Sequence, residues 1–144
     1  MRADKDSYYL RIAEAVLRRS TCLRRKYGAV IVKDDEIIST GYNGAPRGWE
    51  NCCERGYCYR EQEGIPHGER YELCRSVHGE ANAVISASRR DMIGAVLYLA
   101  GQEEDGSSIQ NAEPCAMCKR LIINAGIKEV ITQSGRVNVC DWKG

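Results

Sequence analysis

Near the start of the chain, apolar residues recur at helical spacing. Tyr9, Ile12, Ala13, Val16 and Leu17 form one stripe within residues 7–19, and Asp6 or Ser7 stands where a helix cap belongs. The period then shortens. "YGAVIV" (27–32), the polar "KDDE" and "IISTGYNG" (37–44) read as a β-hairpin. Its first strand is apolar on both faces, which predicts an interior place in a sheet. From 45 to 77 no period survives, and so long a structureless stretch inside a compact domain has to be pinned by something. Regularity returns with a helix from Gly79 to about Arg90 and a strand at "AVLYLA" (95–100). After a polar loop over 101–113, Pro114 opens a helix that Gly126 ends. "KEVIT" (128–132) is a strand, and "RVNVCDW" (136–142) offers one more. This order predicts an α/β chain, residues 1–144 as a single domain, with helices on the faces of a central sheet.

Composition narrows the function more than the fold. The net charge of +1 gives no long-range attraction to a nucleic acid or a membrane surface. The basic run "RRSTCLRRK" (18–26) reads as a solvated helix end and loop. No apolar run approaches the ~20 residues of a membrane span, and "MRADKDSYYL" lacks a signal peptide's apolar segment. A cytoplasmic setting is therefore expected. There, 8 cysteines point to metal ahead of disulfides, the alternative being thiols buried as small hydrophobes.

Two short motifs carry the chemistry. In "PCAMC" (114–118), Cys115 and Cys118 fall on one face of a helix's first turn. The positive end of the helix dipole favours their thiolates. In "HGEANAV" (78–84), His78 opens another helix and supplies a third ligand. Three protein ligands leave one tetrahedral position of a zinc ion to water, the arrangement of catalytic rather than structural zinc. Glu80, two residues after the ligand, can lie beside the metal without binding it. It can take a proton from water acidified by zinc and return one later. A structural zinc or a redox dithiol has no use for that carboxylate, so Glu80 separates an enzyme from a non-catalytic zinc module. H-x-E paired with P-C-x-x-C is the known signature of zinc nucleobase deaminases, recognised here as a match.

With these motifs the sequence resembles the cytidine/deoxycytidylate deaminase superfamily, and within it the zinc-dependent deoxycytidylate (dCMP) deaminases. "RSTCLRRKYGAVIVKDDEIISTGYNGAPRG" (19–48) and "CRSVHGEANA" (74–83) carry the likeness to that branch. The resemblance implies a three-layer α/β/α cytidine-deaminase-like fold with a mixed sheet of about five strands. It implies hydrolysis of dCMP to dUMP and ammonia, a homo-oligomer (hexamer or dimer), and dCTP and dTTP as effectors. It assigns Asn43 to the sugar, Gly79 and Glu80 to the base, and Arg47 and Arg89 to phosphate. Some relatives carry a second, structural zinc. Cys22, Cys52 and Cys74 match its ligand positions, with His67 as the fourth, or Cys53 or Cys58 in its place. Three alternatives stay open: another cytosine nucleotide or nucleoside, a guanine or adenine base (since "PCAMC" is also common among tRNA adenosine and guanine deaminases), and a non-catalytic zinc-binding module. The family's alanine between ligand and acid is Gly79 here, and the loop 101–113 is longer than usual.

Overall fold

The first helix, α1 (Lys5–Leu17), is capped two residues earlier than its stripe suggests. The Asp4 carboxylate accepts the Ser7 N–H at 2.8 Å in this computed structural model, which describes residues 1–143. The hairpin follows as β1 (Lys26–Lys33) and β2 (Glu36–Tyr42). Asp34 and Asp35 turn it with positive φ, a conformation Asp tolerates better than most residues. β3 (Val96–Gln102), β4 (Glu129–Thr132) and β5 (Gly135–Asn138) complete one sheet in the order β2-β1-β3-β4-β5. β1 is antiparallel to both neighbours, β3 and β4 are parallel, and β4 and β5 are antiparallel. The sheet is therefore mixed and five-stranded, with the doubly apolar β1 inside it.

Period-two alternation divides the core into two layers. Ala29, Ile31, Leu97 and Leu99 face Ala83 and Ile122 on one side. Val30, Val32 and Tyr98 face Tyr9 and Ala13 of α1 on the other. Burying one such Leu or Ile side chain contributes about 1.5–3 kcal/mol, so each helical layer is anchored by apolar contact.

The second helical layer differs from its prediction at two points. The helix expected to run from Gly79 to about Arg90 is two: α4 (Gly79–Ile85) and α5 (Arg89–Met92). "SAS" (86–88) breaks it, because Ser88 caps the second piece by accepting the Asp91 N–H. The helix expected to open at Pro114 is α6 (Ala116–Ala125), with Cys115 as its extended N-cap, and it ends at Gly126 with φ +87°. These labels leave α2 (Cys52–Arg55) and α3 (Tyr59–Gln62), two short turns inside the stretch that showed no period. After β5 the chain makes a single 3-10 turn, Val139–Asp141, in place of further strand.

Protein contacts hold the segment 45–76 at several points. Gly44 and Val77 exchange hydrogen bonds of 2.7 and 3.1 Å across its ends. The Cys53 N–H donates to the Thr21 carbonyl, and Arg24 pairs with Glu61 at 3.2 Å. Among the described residues, no helix is long and apolar enough to cross a membrane.

Candidate active site

β2 and α4 meet where Gly41 has no side chain. A Cβ there would lie closer than 3.0 Å to the backbone of Gly79, Asn82 and Ala83. The missing atom lets α4 rest directly on the strand. Asn82 Nδ2 then donates to the Tyr42 carbonyl and Ser39 Oγ to the Ala83 carbonyl, each at 2.8 Å. This fixes His78, the N-cap of α4, and Glu80 in its first turn. α6 packs beside α4 and presents Cys115 and Cys118 from its own start.

The three ligand atoms converge. His78 Nδ1 lies 3.5 Å from Cys115 Sγ and 3.4 Å from Cys118 Sγ, and all three atoms lie within 4.8 Å of one another. Zinc with bonds of about 2.3 Å to sulfur and about 2.0–2.1 Å to nitrogen would hold tetrahedral ligands roughly 3.5 Å apart. The donor set and its spacing fit zinc without rearrangement. Among the described residues, no other group of three metal-binding side chains is so close.

Electrostatics mark the same place. The Cys118 thiol, followed by His78, holds Cys115 down to about 3, against the effect of burial. Cys118 is pushed up by Cys115, by burial and by Glu80. His78 is raised by its bond to Cys115. Glu80 is 5% exposed, and burial raises its carboxyl above the usual range. A buried carboxyl with a raised pKa beside soft ligands is suited to moving protons.

His78, Glu80 and Cys115 open onto a cavity of about 490 Å³ that Asn43 also lines. The Asn43 side chain is largely committed to the frame. Its Oδ1 accepts from Ser20 Oγ (2.6 Å) and the Tyr27 N–H (2.9 Å), and its Nδ2 donates to the Arg25 carbonyl (2.8 Å). One N–H remains for a ligand. Gly79 is buried behind the lining, and its N–H, at the first helical position, has no intrahelical acceptor. Arg47 and Arg89 stand apart from this group. Arg47 is exposed on the turn after Pro46, and Arg89 is exposed with its Nε bonded to the Asn124 carbonyl. Neither lines the cavity, because the turn and the start of α5 both point to solvent.

The cations that do line it are Arg24, Arg25, Arg60 and Lys119, none singled out by the sequence reading. Arg24 and Arg25 lay inside the run read as solvated, and Arg60 inside the stretch without a period. Tyr71, equally unsignalled, packs edge-on against His78 with centroids 5.6 Å apart. Ile109, Asn111 and Glu113 bring the long loop 101–113 to the cavity as well.

All eight cysteines are free. Cys22, Cys58, Cys74 and His67 line another part of the same cavity. Cys52 is buried, and its thiol is raised by burial and then by Cys22, Cys74 and Cys58. Cys53 is exposed.

Comparison with known proteins agrees with this geometry. The chain is 42% identical to the deoxycytidylate deaminase of Mycobacterium phage D29, over 90% of this chain and 94% of that one. It is 37% identical to the Schizosaccharomyces pombe deoxycytidylate deaminase over 88% of its length, spanning 36% of that longer protein. The crystal structure of the cyanophage S-TIM5 dCMP deaminase in complex with dCMP and dUMP superposes with a TM-score of 0.63 at 27% identity, covering 92% of this chain and 82% of that one. Residues 3–134 match the family model of the cytidine and deoxycytidylate deaminase zinc-binding region, and the chain belongs to that family.

Proposed function

We propose that this chain, one deaminase domain over residues 1–144, hydrolyses dCMP to dUMP and ammonia with zinc. The observation that carries the reading is a buried carboxyl, Glu80, beside three converging zinc-type ligands on a cavity of nucleotide size. The relatives named as deoxycytidylate deaminases support the choice of base and sugar.

His78 Nδ1, Cys115 Sγ and Cys118 Sγ would hold the zinc. When bound, zinc lowers the pKa of water towards ~7 and so supplies the nucleophile at neutral pH. Glu80 takes the proton released by the attacking water. It passes this proton to the ring nitrogen as the C4–O bond forms, then takes the remaining hydroxyl proton and passes it to the amino group, so the C4–N bond breaks and ammonia departs. Burial raises the pKa of Glu80 above the usual carboxylate range, which makes it a stronger base than an exposed carboxylate. The Gly79 N–H and the spare Asn43 N–H orient base and sugar. The burial of Glu80, 5% exposed, limits bulk water at the acid.

The reading extends to a second, structural zinc on Cys22, Cys52 and Cys74 with His67 or Cys58 as fourth ligand. The mutual effects of Cys22, Cys52, Cys58 and Cys74, and the lining of one cavity by Cys22, Cys58, Cys74 and His67, support it. Exposed Ile85, Met117 and Leu121 on neighbouring helices support a homo-oligomer, with dCTP and dTTP as candidate effectors. A cytoplasmic setting suits eight free thiols.

The test is ammonia release by the zinc-loaded protein across dCMP, CMP, deoxycytidine, cytosine, guanine and AMP, with metal content measured on the same sample. Turnover of dCMP above the others, abolished by chelation, is expected. Turnover of guanine or AMP alone would overturn the reading. Two zinc ions per chain, falling to one in Cys74→Ser with activity retained, is expected for the second site.

A further inference from the structure

Four cations line the active-site cavity, and three are already neutralised. Arg24 Nε lies 3.2 Å from Glu61, Arg25 contacts Glu103 at 3.1 and 3.2 Å, and Lys119 pairs with Glu113. Arg60 is different. It is 5% exposed, yet among the described residues it makes no ion pair. Its Nη2 donates to two neutral carbonyls, Pro66 (2.9 Å) and Glu69 (2.6 Å). Its Nε is buried with no partner at all. The nearby Glu72 is engaged by Arg70 at 2.6 Å.

A buried cation without a counter-charge is costly unless something compensates it. The guanidinium stacks on Tyr71 with Cζ 4.7 Å from the ring centroid, and the same ring meets His78 edge-on. Tyr71 thus touches both the unneutralised charge and a metal ligand, and all three residues line the same cavity. The carbonyl bonds and the stack hold the guanidinium in one orientation, so Nη1, the nitrogen that is neither hydrogen-bonded nor fully enclosed, is preorganised for an anionic ligand.

We propose that Arg60 is the residue that binds the substrate's 5′-phosphate and makes this site select a nucleotide over a nucleoside. The inference rests on the deaminase reading above and goes beyond it by assigning the phosphate contact to α3 in place of Arg47 and Arg89. The phosphomonoester dianion supplies the missing counter-charge, and one of its oxygens meets Nη1.

The test compares kcat/KM for dCMP and deoxycytidine in zinc-loaded wild type, Arg60→Gln and Arg60→Lys. Calorimetric titration with dUMP and with deoxyuridine gives a readout independent of turnover. One charge-assisted contact is worth about 10- to 100-fold. Arg60→Gln is expected to lower kcat/KM for dCMP and dUMP affinity by that factor, while deoxycytidine turnover and deoxyuridine affinity hold. Arg60→Lys, which keeps the charge but not the planar fork, is expected to fall between. If Arg60 only tethers residues 66–69, both substrates lose equally, and that result overturns the proposal. An unchanged dCMP-to-deoxycytidine ratio in Arg60→Lys overturns it even if Arg60→Gln fails to fold. Wild type that turns over neither substrate would instead overturn the deaminase reading.

Discussion

The direct seating of α4 on β2 makes Gly41 a position where stability and catalysis should fall together. In Gly41→Ala the new Cβ would stand closer than 3.0 Å to Gly79 O, Ala83 N and Asn82 C. All three are backbone atoms, so no side chain can swing aside. Restoring ordinary contact near 3.5 Å parts strand and helix by on the order of 1 Å. Overpacking of this kind costs about 1–3 kcal/mol, or a Tm lower by roughly 4–12 °C for a chain of this size. Because α4 carries His78 and Glu80 while α6 carries the cysteines, the same movement pulls the two halves of the site apart. Misplacement of about 1 Å costs roughly 100-fold in rate. Gly79→Ala is the control. Its Cβ would meet Tyr27 O at 3.2 Å, Gly41 O at 3.3 Å and Asn43 N at 3.5 Å. These contacts need only a few tenths of an ångström, and helix propensity favours alanine over glycine by up to about 1 kcal/mol. Thermal melts with kcat/KM on dCMP should show Gly41→Ala losing both stability and activity and Gly79→Ala keeping both to within about threefold. A Gly41→Ala protein with wild-type Tm and rate would refute the claim that this contact positions the site.

Asn43→Ala should cost about 2–4 kcal/mol by chemical denaturation, because it strands the Ser20 hydroxyl, the Tyr27 N–H and the Arg25 carbonyl; a loss under 0.5 kcal/mol would mean that this network is dispensable. At high pH the Tyr9 phenol matters: its hydrogen bond to Asp35 (2.7 Å), then burial, raise it to about 12. A group raised in the folded state contributes stability below its unfolded value near 10 and loses it as pH rises through about 12. Denaturation midpoints between pH 9 and 12 should therefore fall less steeply in Tyr9→Phe than in wild type, and parallel curves would exclude this contribution.

Much of the frame was legible because burial and period coincide. Ala29 to Val32 are buried on alternate faces, as an apolar run in an interior strand must be. His78, Glu80, Cys115 and Cys118 were legible because their chemistry demands particular residue types at the starts of two helices. The break in the helix after Ile85 was signalled only weakly, by two serines that compete for backbone donors. The cavity wall was not legible. Arg60 meets Tyr71 and two carbonyls through the folding of a stretch with no repeating pattern, and a cation–π stack leaves no trace in sequence spacing. The assignment of phosphate to Arg47 and Arg89 followed resemblance along the chain, whereas reach into the cavity depends on how α3 and the following turn fold back over the site.

The central claim is that Glu80 moves the protons of a zinc-dependent deamination. Its most direct test is the turnover number of zinc-loaded Glu80→Gln on saturating dCMP. The substitution keeps size and removes the titrating oxygen. With zinc content and fold matching wild type, kcat should fall by at least about 10²–10⁴-fold. A zinc-replete Glu80→Gln protein that forms dUMP at close to the wild-type rate would contradict the account.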